Sequence, residues 1–146
     1  MGGSIAIEAA GLLGERVTTL LVSELNLFAG GGEYSRRIAA QSETAFVADG
    51  YAAAGGGALA VGGLFTKQRP WAVWRAASSL IRGSDTPWFT QLCQLRCQKM
   101  LIVGERSPLM RIATSFRHGI PVGIVPHAGH SMAWENPQGL AQHRQP

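Results

Sequence analysis

With 146 residues, 46% of them hydrophobic, the chain is about one domain long and has material for one core that buries roughly two thirds of the surface of its unfolded form. The net charge of +4 comes from thirteen scattered Lys and Arg that cluster only at Arg36 and Arg37, which argues against a nucleic-acid interface. The two cysteines, Cys93 and Cys97, have no second pair or nearby His to complete a zinc site and read as reduced, packed thiols, so neither metal nor cofactor is expected.

The amino terminus lacks the basic region and long apolar core of a signal peptide. Glu8, Glu15 and Arg16 interrupt the one stretch that resembles a membrane span, so a soluble, cytoplasmic protein without membrane attachment is expected. Residues 2–13, GGSIAIEAAGLL, place Ile5, Ala9, Leu12 and Leu13 at helical spacing, and the helix stops near Gly14. Residues 17–23, VTTLLVS, run β-branched and leucine residues together without helical periodicity, which predicts a buried strand ending at Glu24.

Asn26 and the run Gly30, Gly31, Gly32 predict a hinge; the Lys-Ser/Thr sequel of a phosphate-binding loop is missing. Residues 34–54 predict one helix, with Ile38, Ala39, Phe46, Val47 and Tyr51 on its apolar face and Arg36, Arg37, Gln41 and Glu43 in solvent. The next segment, GGGALAVGGLF, is expected as loop, since each interior glycine costs a helix roughly 1 kcal/mol relative to Ala. PWAVWRAASSLIR, residues 70–82, opens with a proline suited to a first helical turn and carries Trp71 and Trp74; Gly83 closes it. Asp85, Thr86 and Pro87 open a further helix with Trp88, Phe89, Leu92 and Leu95.

Residues 99–104, KMLIVG, predict a second strand, 109–118 a short helix and 120–125 a third strand. Pro126, Ala128 and Gly129 then stop the strand and leave His130 on a small-residue turn, where it can face a crevice. Ser131 is the expected N-cap of a helix whose apolar side is Trp134, Leu140 and Ala141, and His127 is read as a loop residue.

The string GHSMAWENP resembles the catalytic-histidine segment of the α/β-hydrolase family, and the opening MGGSIAIEAAGLLGERV resembles the segment directly after that family's G-x-S-x-G-G nucleophile elbow. The resemblance covers the C-terminal part of the family fold. It implies an α/β fold with a small parallel sheet of about three strands flanked by helices, a truncated core over 1–24 and 99–146, and a helical cap over 25–98. It also implies a Ser-His-acid hydrolase of esters, amides or activated carbon-carbon bonds. His130 would be the general base, and Met1, directly after the nucleophile, would lend its N–H to the oxyanion hole. The serine itself would precede Met1 and does not occur in the 146 residues; Ser4 and Ser131 sit in the wrong frame.

GERSP resembles the family's GExD turn, with Ser107 where an aspartate often orients the histidine. A serine cannot stabilise an imidazolium, and loss of that acid cost about ten-thousandfold in a protease triad. Glu24, at the end of the first strand, is therefore the expected acid, with Glu105 second. In caps of this family such aromatics often line a pocket for a small apolar acyl or ring-containing substrate, and Trp71, Trp74, Trp88 and Phe89 are read either as that pocket's wall or as core packing. An inactive remnant or binding module, or one subunit of a split hydrolase, are the alternatives. The first strand would lack a neighbour and become an apolar edge, which predicts self-association or pairing with another chain.

Overall fold

The computed structural model describes residues 1–55, 68–108 and 119–143. In chain order the elements are α1 (Gly2–Leu13), β1 (Thr19–Ser23), α2 (Glu33–Ala39), α3 (Glu43–Ala45), α4 (Tyr51–Gly55), α5 (Pro70–Arg82), α6 (Trp88–Gln94), β2 (Gln98–Gly104), β3 (Val122–Val125), α7 (Met132–Glu135) and α8 (Pro137–Ala141). Of the expected loop at 55–65, Gly55 is described and closes α4 instead; residues 56–65 and the expected helix at 109–118 lie outside the described residues. The chain divides into two compact units, one of Met1–Leu27 with Trp88–Pro146 and the other of Phe28–Pro87. Leu25 to Leu27 and α6, assigned to the cap from sequence, fall in the first unit.

The first unit is a parallel sheet in the order β1-β2-β3, flanked by helices. Central β2 is buried along Leu101, Ile102 and Val103, as a parallel strand covered on both faces must be. Register places Leu21 beside Met100 and Ile102 beside Gly123. On that face Ile102, Val125, Ala128 and Met132 form a cluster joined by Leu21, Met100 and Leu140, while Val22, Leu101 and Val103 are buried on the alternate face. Helix α1 packs on β1 and α6. Trp88 on α6, 4% exposed, donates its indole N–H to the Glu8 carboxylate at 2.7 Å, which gives the one acid of α1 a partner.

Strand boundaries differ from the expected ones for local reasons. A 3-10 turn over Gly14–Arg16 follows α1, Gly14 taking φ 57, and pairing of β1 begins at Thr19 instead of Val17. Pro121 accepts from Leu101 N at 3.0 Å but has no N–H to return, and β3 begins at Val122. The helix expected after Ser131 is two short ones. Asn136 precedes a proline and adopts φ −149, ψ 73, so α7 ends there and Pro137 starts α8, capped by the Asn136 side chain accepting from Gly139 N at 2.8 Å. Ser131 makes no side-chain cap bond, and Trp134 stands 79% exposed instead of packing.

In the second unit the single helix expected over 34–54 is broken. Ser42 turns extended and caps α3 by accepting from Ala45 N at 3.2 Å, and a π-type turn over Phe46–Gly50 leads into α4. Ile38, Phe46, Val73 and Ala77 form its core, with Tyr34, Tyr51, Ala54 and Trp74 against them. Helix α5 has the expected bounds, with Pro70 in its first turn and Gly83 closing it at φ 77. The expected hinge is tied down: Gly30 N donates to Leu80 O, and Arg36 reaches Gly31 O at 3.1 Å. Among the described residues no helix is long and apolar enough to cross a membrane.

Candidate active site

Three parallel strands end at the same side of the first unit, and each delivers one part of a polar cluster there. Carboxyl ends of parallel strands are where α/β sheets place ligands, because the turns leave the sheet without covering it. Glu24 follows β1, Gly104 closes β2, and the turn carrying His130 follows β3.

Glu24 is the buried member. Its side chain is 5% exposed and its backbone sits at φ 46, a left-handed conformation that a non-glycine residue holds only when its surroundings enforce it. Glu24 N donates to Ile102 O, which ties the strained residue to β2. One carboxylate oxygen, Oε1, accepts from Gly104 N at 2.8 Å; the other, Oε2, accepts from Ser107 Oγ at 2.7 Å and lies 3.5 Å from His130 Nδ1. Burial by itself raises the carboxyl pKa. The His130 ring, the Gly104 N–H and the Ser107 hydroxyl together outweigh it and hold the group below the usual carboxylate value.

His130 is the open member, its side chain 81% exposed. Pairing with Glu24 lifts its pKa above the ordinary histidine value against the opposing effect of burial; the Glu24 charge adds to the lift, the Met1 amino group opposes it, and Glu135 supports it. The arrangement suits an imidazole that takes up a proton from an incoming group while a fixed, ionised carboxylate steadies the cation.

The turn that carries the ring is fastened from the end of β2 and from the end of α7. Arg106 N donates to Ala128 O at 2.9 Å and the Arg106 guanidinium to His127 O at 2.7 Å. Glu135 accepts from Gly129 N, and Asn136 Nδ2 donates to Pro126 O at 2.9 Å. A Cβ on Gly104 would meet Ala128 O and Gly129 O at 2.5 Å each, so only glycine lets the turn lie this close to β2. On the opposite flank a Cβ on Gly3 would meet Leu25 Cβ at 2.5 Å, and Ser4 Oγ reaches Asn26 O at 3.4 Å. The start of α1 is thus set against the turn that follows Glu24.

Of the residues singled out from sequence, the structure brings His130 and Glu24 together and leaves Glu105 elsewhere. Glu105 Oε2 accepts from His127 N at 2.8 Å and stands 3.7 Å from His127 Nδ1. Met1 is near enough for its amino charge to act on His130. The four aromatics are spread over both units. Trp71 is 49% exposed with the Arg75 guanidinium 5.3 Å above its ring, and Trp74, half-buried in the second unit's core, donates to Gln41 O at 2.8 Å. Trp88, on α6, is buried and bonded to Glu8 of α1, and half-buried Phe89 donates its backbone N–H to Leu27 O at 3.0 Å.

A cavity of about 990 Å³ lies away from this cluster, at the other end of the strands, where Thr19 and Gln98 begin β1 and β2. Its size does not outweigh the chemistry, because neither His130 nor Glu24 lines it. Sequence reasoning passed over Gly104 and weighed Ser107 only as a substitute for the acid. The GERSP turn held the signal for both, in the glycine where β2 meets the histidine turn and the serine at the acid's usual position. Among the described residues no group of three or more His, Cys, Asp or Glu is placed to hold a metal ion. No family model matches the chain, and no curated protein matches it.

Proposed function

We propose that the chain carries the histidine and acid of an α/β-hydrolase-type active site, with His130 as general base and Glu24 as the acid that orients it. The observation that carries the reading is the 3.5 Å approach of the buried Glu24 carboxylate to the exposed His130 ring at the carboxyl ends of a parallel sheet. Left-handed strain at Glu24 supports it, since strain of this kind concentrates at functional sites. On this reading the substrate is a small acyl or ring-containing compound with an ester, amide or activated carbon-carbon bond, and the Phe28–Pro87 unit is the cap. On the family's pattern the attacking serine directly precedes the position held by Met1, and Met1 supplies an oxyanion-hole N–H.

Two measurements test this. The His130 imidazole resonance should titrate above the ordinary value in the protein and near it in Glu24→Gln. In protein supplied with the preceding strand and its G-x-S segment, p-nitrophenyl ester cleavage should fall by at least about ten-thousandfold on His130→Ala, as removal of a triad base requires. Ester turnover that survives His130→Ala would overturn the assignment.

A further inference from the structure

Ser107 stands out among the residues that the acid–base pair does not itself use. It is polar, 6% exposed, and bonded to the pair's buried partner. We propose that Ser107 is a positioning residue that aims the Glu24 carboxylate at His130. The inference rests on the reading of Glu24 and His130 as a working pair and adds a residue to it.

The geometry supplies the argument. A glutamate side chain has a broad final torsion, so a carboxylate held at one oxygen still swings about that contact. Here both oxygens are held by donors from one short turn, Oε1 by Gly104 N at 2.8 Å and Oε2 by Ser107 Oγ at 2.7 Å. The turn is itself closed by Ser107 N donating to Gly104 O at 2.9 Å. Two donors from a rigid base fix the carboxylate plane, and the acceptor capacity still free on Oε2 faces His130 Nδ1. A serine cannot replace a missing acid at this position. It can orient an acid that arrives from the neighbouring strand end, and the short side chain leaves room for that carboxylate.

A merely structural Ser107 would satisfy a buried carboxylate and affect stability alone. A positioning Ser107 also sets how strongly the carboxylate acts on the ring. The other charges on His130, the Met1 amino group and Glu135, are left in place by substitutions at Ser107 and Glu24.

The test is the His130 titration midpoint, read by NMR on the whole chain, in wild type, Ser107→Ala, Ser107→Cys, Ser107→Thr and Glu24→Gln. Ser107→Ala should lower the midpoint by about 0.5 pH unit, toward the Glu24→Gln value, because a carboxylate that swings away favours the imidazolium less. Ser107→Cys, similar in size but a weak donor, should shift it in the same direction, so the outcome does not depend on one variant folding. Ser107→Thr, which keeps the hydroxyl, should restore the wild-type midpoint. An unchanged midpoint in both Ser107→Ala and Ser107→Cys, or a rise, overturns the positioning role. If Glu24→Gln itself leaves His130 unmoved, the pairing of Glu24 with His130 fails instead, and the two failures are told apart.

Discussion

Replacing Glu24 with Gln keeps shape and removes charge, and the cost is set by its partners. Gln Oε1 can still accept from Gly104 N, and the Ser107 hydroxyl can rotate to accept from the new NH2 group, so neither donor is orphaned. The loss is in charge assistance, about 1 kcal/mol for each of the two bonds, plus a small contribution from the solvent-screened His130 ring. Relief of the buried carboxylate's desolvation returns roughly half of that, leaving a net loss of about 1 kcal/mol. For a chain of this length that is a shift of roughly 2–4 °C in Tm. The pH dependence gives the sharper test. Glu24 is held below its unfolded value of 4.5, so its contribution is present above that pH and disappears as pH falls through the lower folded value. His130 is held above 6.5, so its share is present below 6.5 and is lost as pH rises through the raised folded value. The gap between wild type and Glu24→Gln should therefore be widest from about pH 4.5 to 6.5 and should vanish in strong acid. Urea unfolding followed at the Val103 amide, in the first unit's core, measures it. A Gln variant as stable as wild type near pH 5.5, or a gap that persists unchanged in strong acid, would refute the account.

Gly104→Ala should cost about 3 kcal/mol and displace the His130 resonance, because the added methyl meets two backbone carbonyl oxygens that cannot yield without moving the turn; urea unfolding and an amide spectrum check both effects. Trp88→Phe should lose about 2 kcal/mol, since it leaves the Glu8 carboxylate without its indole donor and trims a ring that is 4% exposed; Glu8→Ala in the same background should then add little. Among the described residues β1 is paired only with β2, and Ile5 and Leu12 of α1 are 59% and 88% exposed. Self-association should therefore appear in sedimentation velocity and fall on Thr19→Lys with Leu12→Glu; a wild-type chain that stays monomeric at high concentration contradicts this.

Strong local signals carried the parts of the fold that the sequence made legible. Pro70 and Gly83 bracket α5, β-branched runs mark the strands, and Gly14 ends α1, each through a conformational preference of a few neighbouring residues. Breaks governed by a single side chain were missed. Ser42 divides a helix whose apolar periodicity reads as continuous, and Asn136 ahead of Pro137 divides another, although the proline was in plain view. At the site, the strand pattern puts Glu24 at the end of the first strand and His130 after the third, and the family resemblance pairs them, but that they approach within 3.5 Å past the intervening β2 depends on register and on a left-handed φ at Glu24 that no composition signals. By its own proton chemistry Ser107 reads only as a missing acid; the hydrogen bond it donates reaches a carboxylate eighty-three positions earlier, which no local pattern signals.

The ties that hold the histidine turn differ in kind from those that hold the sheet. Arg106, Glu105 and Glu135, each more than a third exposed at the side chain, do much of the fastening, whereas β2 beneath them is enclosed in hydrocarbon. Mobile ions weaken the former and leave the latter untouched, since exposed charges are screened over about 10 Å at 0.1 M. Added salt should therefore loosen the histidine turn before it touches the strands.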